Sequence, residues 1–322
     1  MDKAYIEAVK LMLRIAPDVF EETPFALKGG TAINLFVREM PRLSVDLDLV
    51  YVNRATARQT ALEEITASLQ IIARRLEKAG LSTRKVGNKE MGDTKLLIDE
   101  GSTMVKIEVN TVLRGTVHPI ENRPLVHTAA RHFMAELAVP VLSDAELYGG
   151  KLVAALDRQH PRDLFDVHCL FEAEGLTDAM LECFVIYLSG HDKPPYEVLN
   201  ARDKDISATY EEQFAGVAAV PVPLEQLIET RSRLRSDLMK RLTSDHKNFL
   251  SSLLRADPDW GLLHCPHASE LPGIQWKLIN LRKFQERQPK AFAEQIRRME
   301  QVFEQNSSHR NSPDILGNSR GR

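Results

Sequence analysis

The sequence predicts an α+β protein: a domain built on a mixed sheet, followed by a mostly helical domain. Three observations carry this. Over the first ~140 residues, segments with strand periodicity alternate with segments of helical periodicity. From Ser143 onward, apolar residues recur almost throughout at helical spacing. Between them the chain changes from Gly-, Asp- and Asn-punctuated short runs to long capped ones. The expected organisation is a sheet domain at 1–140, a helical domain at 141–305 and a disordered polar tail at 306–322.

Taken in order, "MDKAYIEAVKLMLRIA" is an amphipathic helix with an acidic second residue, without the basic start and small-residue cleavage site of a signal peptide. The stretch "KGGTAINLFVREMPRLSVDLDLVYV" holds a Gly-Gly turn, a helix and then a strand over which Leu43, Val45, Leu47 and Leu49 alternate with polar residues. A helix follows from about Ala55 to Ala79, apolar at Leu62, Ile65, Leu69, Ile72 and Leu76 and closed by Gly80. "LSTRKV", "TKLLID" and "MVKIEVNTVL" read as strands, the last two joined by a hairpin turn at Asp99-Glu100-Gly101-Ser102. "PLVHTAA" and "ELAVPVLS" are weaker strand or extended candidates. Ser143 followed by Glu146 has the form of a capping box. Pro161 opens a helix that stops at Gly175, and helical segments run through 177–189, 223–255 and 274–304.

The composition narrows the class. Mean hydropathy is −0.26 and 27% of residues are charged, as in ordinary soluble proteins. No apolar run reaches the roughly 18 residues needed to span a bilayer, so no membrane association and a cytoplasmic location are expected. Cys169, Cys183 and Cys265 are three, with no CxxC spacing, which speaks against a disulfide framework or a zinc site. There is no P-loop motif either. The net charge of −3 points to no polyanion partner. Two helical stretches are nonetheless locally basic, with six basic residues from Arg231 to Lys247 and seven from Lys277 to Arg298. Each is either a solvated face or a surface for an anion such as RNA. Trp260 and Trp276 are expected to fill the helical core rather than to stack on a base.

The chemistry concentrates on carboxylates. Residues two apart on a strand face the same way, with Cα atoms roughly 6–7 Å apart, so Asp46 and Asp48 project together. Two carboxylates side by side repel and are costly to bury unpaired, whereas a divalent cation with a taste for oxygen ligands reverses that sign. Glu108 on "VKIEVN" shares a polar face with Lys106 and Asn110, and if its strand lies beside the first, three carboxylates converge as a two-metal phosphoryl-transfer site requires. The Gly29-Gly30 turn running into a helix leaves backbone N–H groups for phosphate oxygens, and Thr31 adds a hydroxyl. The plain alternatives are a solvent-facing strand edge and an ordinary turn.

Together, Gly-Gly-Thr, a short helix and then Arg42-x-Ser44-x-Asp46-Leu47-Asp48 resemble the nucleotidyltransferase superfamily of DNA polymerase β-like fold. Within it the chain is similar to the AbiEii toxin family of type IV toxin–antitoxin and abortive-infection systems. "GGKLVAALDRQHPRDLFDV" resembles that family's lysine and Arg-Asp-x-x-Asp motifs, and "DPDWGLLHCPHASELPGIQWKLINLRK" a C-terminal signature of longer members, so the likeness spans roughly residues 24 to 285.

The resemblance implies that Gly29, Gly30 and Thr31 contact the triphosphate of an NTP, that Asp46, Asp48 and Glu108 hold two Mg²⁺ ions, and that Lys151 contacts phosphate. Asp163 and Asp166 match the last acidic motif, with either able to face the site. The fourteen residues between Thr31 and Asp46 are long for the superfamily and are expected to reflect a longer helix at "AINLFVREM". The implied activity is Mg²⁺-dependent transfer of NMP from GTP or CTP to an acceptor, with tRNA the attractive one, opposed by an antitoxin encoded alongside. Two other readings stay open: a same-fold enzyme that modifies a protein or small molecule, and a non-catalytic nucleotide-binding module. The plain alternatives at these residues are that Lys151 snorkels off its helix and that Arg158 or Arg162 pairs with Asp163 or Asp166 on the helix surface.

Overall fold

The computed structural model describes residues 3–88 and 92–308. Helix α1 (Lys3–Phe20) leads into a seven-stranded mixed sheet made of β1 (Phe25–Lys28), β2 (Asp46–Tyr51), β3 (Ser82–Asn88), β4 (Gly92–Glu100), β5 (Thr103–Asn110), β6 (Glu121–Pro124) and β7 (Ala138–Val141), with the short helix α2 (Gly29–Ala32) directly after β1. Their order across the sheet is β3-β4-β5-β2-β1-β7-β6. β2 runs antiparallel to β1 and parallel to β5, and β1 runs parallel to β7.

The period-2 pattern decides what each face meets. Leu47, Leu49, Leu96, Ile98, Val105 and Ile107 are at most 2% exposed and form the apolar side. α1 packs on it at β5, and α3 (Arg58–Lys78) packs against β3 and β4. Asp46, Asp48 and Glu108 therefore look out from the opposite side. The hairpin between β4 and β5 forms as expected, with Glu100 opposite Thr103 and Gly101 at φ +62°. "AVPV" is a strand, β7, whereas most of "PLVHTAA" goes into helix α4 (His127–Phe133). Its His-Thr-Ala-Ala-Arg run follows the helical rather than the strand period.

From Asp144 on, the described residues with regular structure are helical, apart from an isolated bridge. α5 (Asp144–Arg158) crosses the middle, against α6 (Pro161–Ala173) and α7 (Asp178–Ser189). Gly149 makes the α5–α7 crossing possible, because a Cβ there would lie 2.5 Å from that of Cys183. α8 (Pro195–Leu199) and α9 (Ser207–Gln213) are short. The expected helix at 223–255 is two, α10 (Leu224–Arg241) and α11 (Ser244–Leu254), because Thr243 caps a new N-terminus. The one at 274–304 is likewise two, α12 (Pro272–Arg287) and α13 (Pro289–Ser308), since Pro289 cannot continue the first. α13 runs past the expected start of the tail at 306, and the rest of that tail, 309–322, lies outside the described residues. Among the described residues, no helix is long and apolar enough to cross a membrane.

Two local expectations change. The helical stretch after Gly29 ends at Val37 in a π-turn (Ile33–Val37), so the long spacer before Asp46 is not a longer helix. The extra residues form a loop in which Arg42 bridges to Ala218 and Leu43 N–H donates to the Val217 carbonyl. At α5, Ser143 accepts from the Glu146 N–H as an N-cap, but the Glu146 carboxylate accepts from the Val117 and His118 N–H groups at 2.9 and 3.3 Å instead of closing a capping box.

Candidate active site

A cleft of about 530 Å³ opens between the polar side of the sheet and α5, its lining including Lys28, Gly29, Asp48, Glu108, Lys151 and Tyr187. Strand register builds its floor. Asp48 stands between Lys28 on β1 and Glu108 on β5, all three lining the cleft, whereas Asp46 stands beside Lys106, two residues along β2 and outside that lining. Neighbouring strands lie about 4.8 Å apart, so one row brings cation, carboxylate and carboxylate together.

Gly29 takes φ +75°, and a Cβ on it would lie 2.5 Å from Asp48 Oδ2. A Cβ on Gly30 would lie 2.6 Å from an Arg42 nitrogen. The Gly-Gly pair is thus dictated by close packing on both of its sides: the first residue lies against a carboxylate of the site and the second against the arginine that supports it. Thr31 does not present its hydroxyl to the cleft. At 1% exposure, it hydrogen-bonds to the Asp46 carbonyl and the Ser44 hydroxyl, bracing the start of β2.

The carboxylates divide into two sets. Asp46 and Asp48 are partly exposed on β2. Burial pushes the Asp46 carboxyl above its usual range, with the Asp48 and Glu108 charges adding to the rise and Lys106, 4.0 Å away, opposing it. Glu108 is committed elsewhere. Burial raises it, but Lys95 at 3.0 Å and Lys106 at 3.1 Å overcome that and hold it below the usual range. The strand of Glu108 does lie beside β2, with Glu108 directly opposite Asp48, while among the described residues no group of three His, Cys, Asp or Glu side chains is placed to hold a metal ion. Two lysines pair with the third carboxylate. Asp46 and Asp48 fit a divalent cation, being hard oxygen donors on one face whose mutual repulsion the neighbouring lysines offset only in part.

Asp163 and Asp166 form the second set, and both turn inward. Arg42 grips Asp166 through two hydrogen bonds of 2.7 and 2.8 Å, and Asn34 adds a third at 3.1 Å. Lys151 lies 2.8 Å from both Asp163 and Asp166, and Arg158 closes the chain on Asp163 at 2.9 Å. Burial works to raise Asp166, but Arg42 and Lys151 win and hold it at about 2. Lys151 stays charged for the same reason, its two carboxylates outweighing burial. It reaches the cleft wall as the cationic end of a buried ladder. Its side chain is 6% exposed, so it does not snorkel into solvent.

Sequence reasoning passed over three residues. Lys28 sits on the cleft floor with its ammonium disfavoured by burial and only partly restored by Asp48. Its signal was its place directly before the glycines. Arg42 was quoted only as part of a motif, and the geometry makes it the clamp on Asp166. Glu146 lines the cleft and is pushed up to about 7 by burial. Trp276 also differs from expectation: it is 43% exposed, not core. The basic stretch of α10 is largely engaged, with Arg231 bonded to Gln159 and the Lys204 carbonyl, Arg235 paired with Asp203, and Arg241 with Asp178.

Comparison with known proteins adds two findings. The family described as "Nucleotidyl transferase AbiEii toxin, Type IV TA system" matches residues 10–280. Among solved structures, the fold is similar to MenT4, a nucleotidyltransferase toxin from Mycobacterium tuberculosis H37Rv, with a TM-score of 0.56 and 18% identity over 87% of this chain and 95% of that one. No curated protein matches the chain by sequence.

Proposed function

The chain belongs to the AbiEii family of type IV toxin–antitoxin nucleotidyltransferases, and from that premise we propose that it transfers the NMP of an NTP to RNA at the Asp46–Asp48 cleft. The observation that carries this reading is the row Lys28–Asp48–Glu108 beside Gly29, which puts a cation, a paired acidic face and a closely approachable backbone in one open cleft.

In this reading the triphosphate lies along the Gly29–Gly30 backbone, with Lys28 and Lys151 neutralising its charge. Asp46 and Asp48 would hold Mg²⁺, and the ion would supply charge neutralisation at the α-phosphate and offset the repulsion between the two carboxylates. An acceptor hydroxyl attacks the α-phosphorus in line: the new O–P bond forms, the bond to the β-phosphate oxygen breaks, pyrophosphate leaves and the hydroxyl proton is released. Arg42, Asp163 and Asp166 do not touch the reacting atoms. They fix Lys151 in place, so that the cleft acts by positioning and charge rather than through a covalent enzyme intermediate. Glu108, held by Lys95 and Lys106, supports the floor and keeps two cations beside the substrate.

The donor is GTP or CTP and the acceptor tRNA, a pool available in the cytoplasm, with a separate antitoxin restraining the enzyme. Incubating the protein with each α-³²P-labelled NTP, Mg²⁺ and either total tRNA or total protein tests this. Label on tRNA from one NTP supports the reading. Label on protein alone would assign the same cleft to protein modification, and NTP binding without transfer to any pool would make it a nucleotide-binding module.

A further inference from the structure

Beside the catalytic cleft lies a second pocket of about 320 Å³, whose lining includes Val112, His191, Trp276, Lys277, Phe284 and Gln295. It adjoins the first: His191 lines both, and the turn after β5 gives Thr111 and Leu113 to the cleft and Val112 to the neighbour. Three features distinguish it from an ordinary surface dent.

First, its lining presents exposed apolar surface, with Val112 40% and Trp276 43% exposed. The Arg58 guanidinium lies 5.6 Å from the indole centroid. Second, Gln295 is 4% exposed, yet its Nε2 donor has no hydrogen-bond partner among the described residues. A buried amide N–H without a partner is costly, and a ligand acceptor in the pocket would satisfy it. Third, Trp276, Asn280, Lys283 and Arg287 recur at helical spacing on one face of α12, so a basic stripe continues from the indole. Lys283 and Arg287 are exposed and form no ion pair among the described residues. From Trp276 to Arg287 the stripe covers about 16 Å at 1.5 Å per residue.

An exposed aromatic, a hydrogen-bond donor at the back and flanking cations are what an unpaired nucleobase and its phosphates require. An NTP donor or an RNA strand could supply that chemistry. The stripe leads away from the cleft for longer than one nucleotide, which favours the strand. We propose that this pocket takes an unpaired base of the acceptor RNA, stacked on Trp276 with its edge toward Gln295, while Lys283 and Arg287 follow the backbone and the terminal hydroxyl enters the cleft past His191. The assignment rests on the RNA-acceptor reading given above.

Binding of a 12-nucleotide single-stranded RNA ending in CCA and binding of NTP with Mg²⁺ are measured separately, on the full chain. The variants are Trp276→Ala, Trp276→Phe and Lys283→Ala/Arg287→Ala, with melting curves as a control for folding. The expected results are roughly tenfold or greater weakening of RNA binding in Trp276→Ala, substantial rescue by Trp276→Phe and unchanged NTP affinity. The double variant is expected to weaken RNA binding and to flatten its salt dependence by about two ions. NTP affinity falling with RNA affinity unchanged would give the pocket to the donor and overturn the proposal. RNA binding equal to wild type in Trp276→Ala would overturn it while leaving the RNA-acceptor reading intact. A wild-type protein that binds NTP but no RNA would remove that reading itself. Loss of binding to a co-expressed antitoxin alone, with RNA binding unaltered, would make the pocket a protein contact.

Discussion

Arg42 holds Asp166 in a two-bond fork, Nε to Oδ1 at 2.8 Å and Nη2 to Oδ2 at 2.7 Å, with the two side chains 3% and 0% exposed. The same aspartate receives Lys151 at 2.8 Å. This arrangement sets Asp166 between two buried cations. Asp166→Ala is expected to leave two cations buried beside it, one of them with no other carboxylate, and to destabilise the fold by about 3–5 kcal/mol. Denaturant melts check this. The stabilising effect of the depressed carboxyl, at about 2, is fully present above the ordinary aspartate range and is lost as the pH falls through its folded value. A variant as stable as wild type would show that the ladder does not hold the cleft wall.

Glu108 is expected to matter less than the β2 aspartates, because Lys95 and Lys106 already occupy both its oxygens. Glu108→Gln should retain Mg²⁺ binding and lower transfer by less than Asp46→Asn or Asp48→Asn does. Calorimetric titration of Mg²⁺ in the three variants ranks them. Equal loss in all three would restore Glu108 as a metal ligand.

At Gly29, the added methyl of alanine would meet Asp48 Oδ2 at 2.5 Å in a backbone conformation, φ +75°, that alanine resists. The conformational part costs about 1 kcal/mol. Gly29→Ala is therefore expected to displace Asp48, cutting transfer at least tenfold while the protein stays folded. Steady-state rates together with a circular dichroism melt separate the two effects.

Glu146 brings a pH dependence of stability. Burial raises its pKa from 4.5 to about 7, so between those values the folded chain holds more proton than the unfolded one. Stability then falls as the pH rises through that window, by up to about 1.4 kcal/mol per pH unit. Glu146→Gln, which mimics the neutral acid, is expected to remove this decline. Urea midpoints at pH 5, 6, 7 and 8 measure it, and parallel profiles for the two proteins would count against it.

Much of the fold was legible because its signals were local. Alternation placed β2 and β5 on one polar face, and Gly101 and Pro161 marked a turn and a helix start that the structure contains. What the sequence hid was long-range pairing. Nothing near Asp166 says that Arg42, over a hundred residues earlier, will reach it. Nothing in "VKIEVN" says that Lys95 on the next strand will take the free oxygen of Glu108. Like-charged neighbours suggested a metal trio, and the ion pairs of Glu108 with Lys95 and Lys106 could not be read beside it. Trp276 misled for a related reason. Its helix is amphipathic, but the indole falls at the edge of the apolar stripe, where only the packing of neighbours determines exposure.

The division of the acidic residues into a working pair on β2 and a buried supporting pair on α6 is tested most directly by one measurement on Asp48→Asn. Mg²⁺-dependent transfer of label from NTP is followed beside the melting temperature of the same sample. Transfer should fall by about 10²–10³-fold or more, with the melting temperature unchanged or raised, since removing one charge relieves the repulsion with Asp46. Transfer within a few-fold of wild type, in a protein that melts normally, would contradict the assignment of this cleft as the catalytic centre.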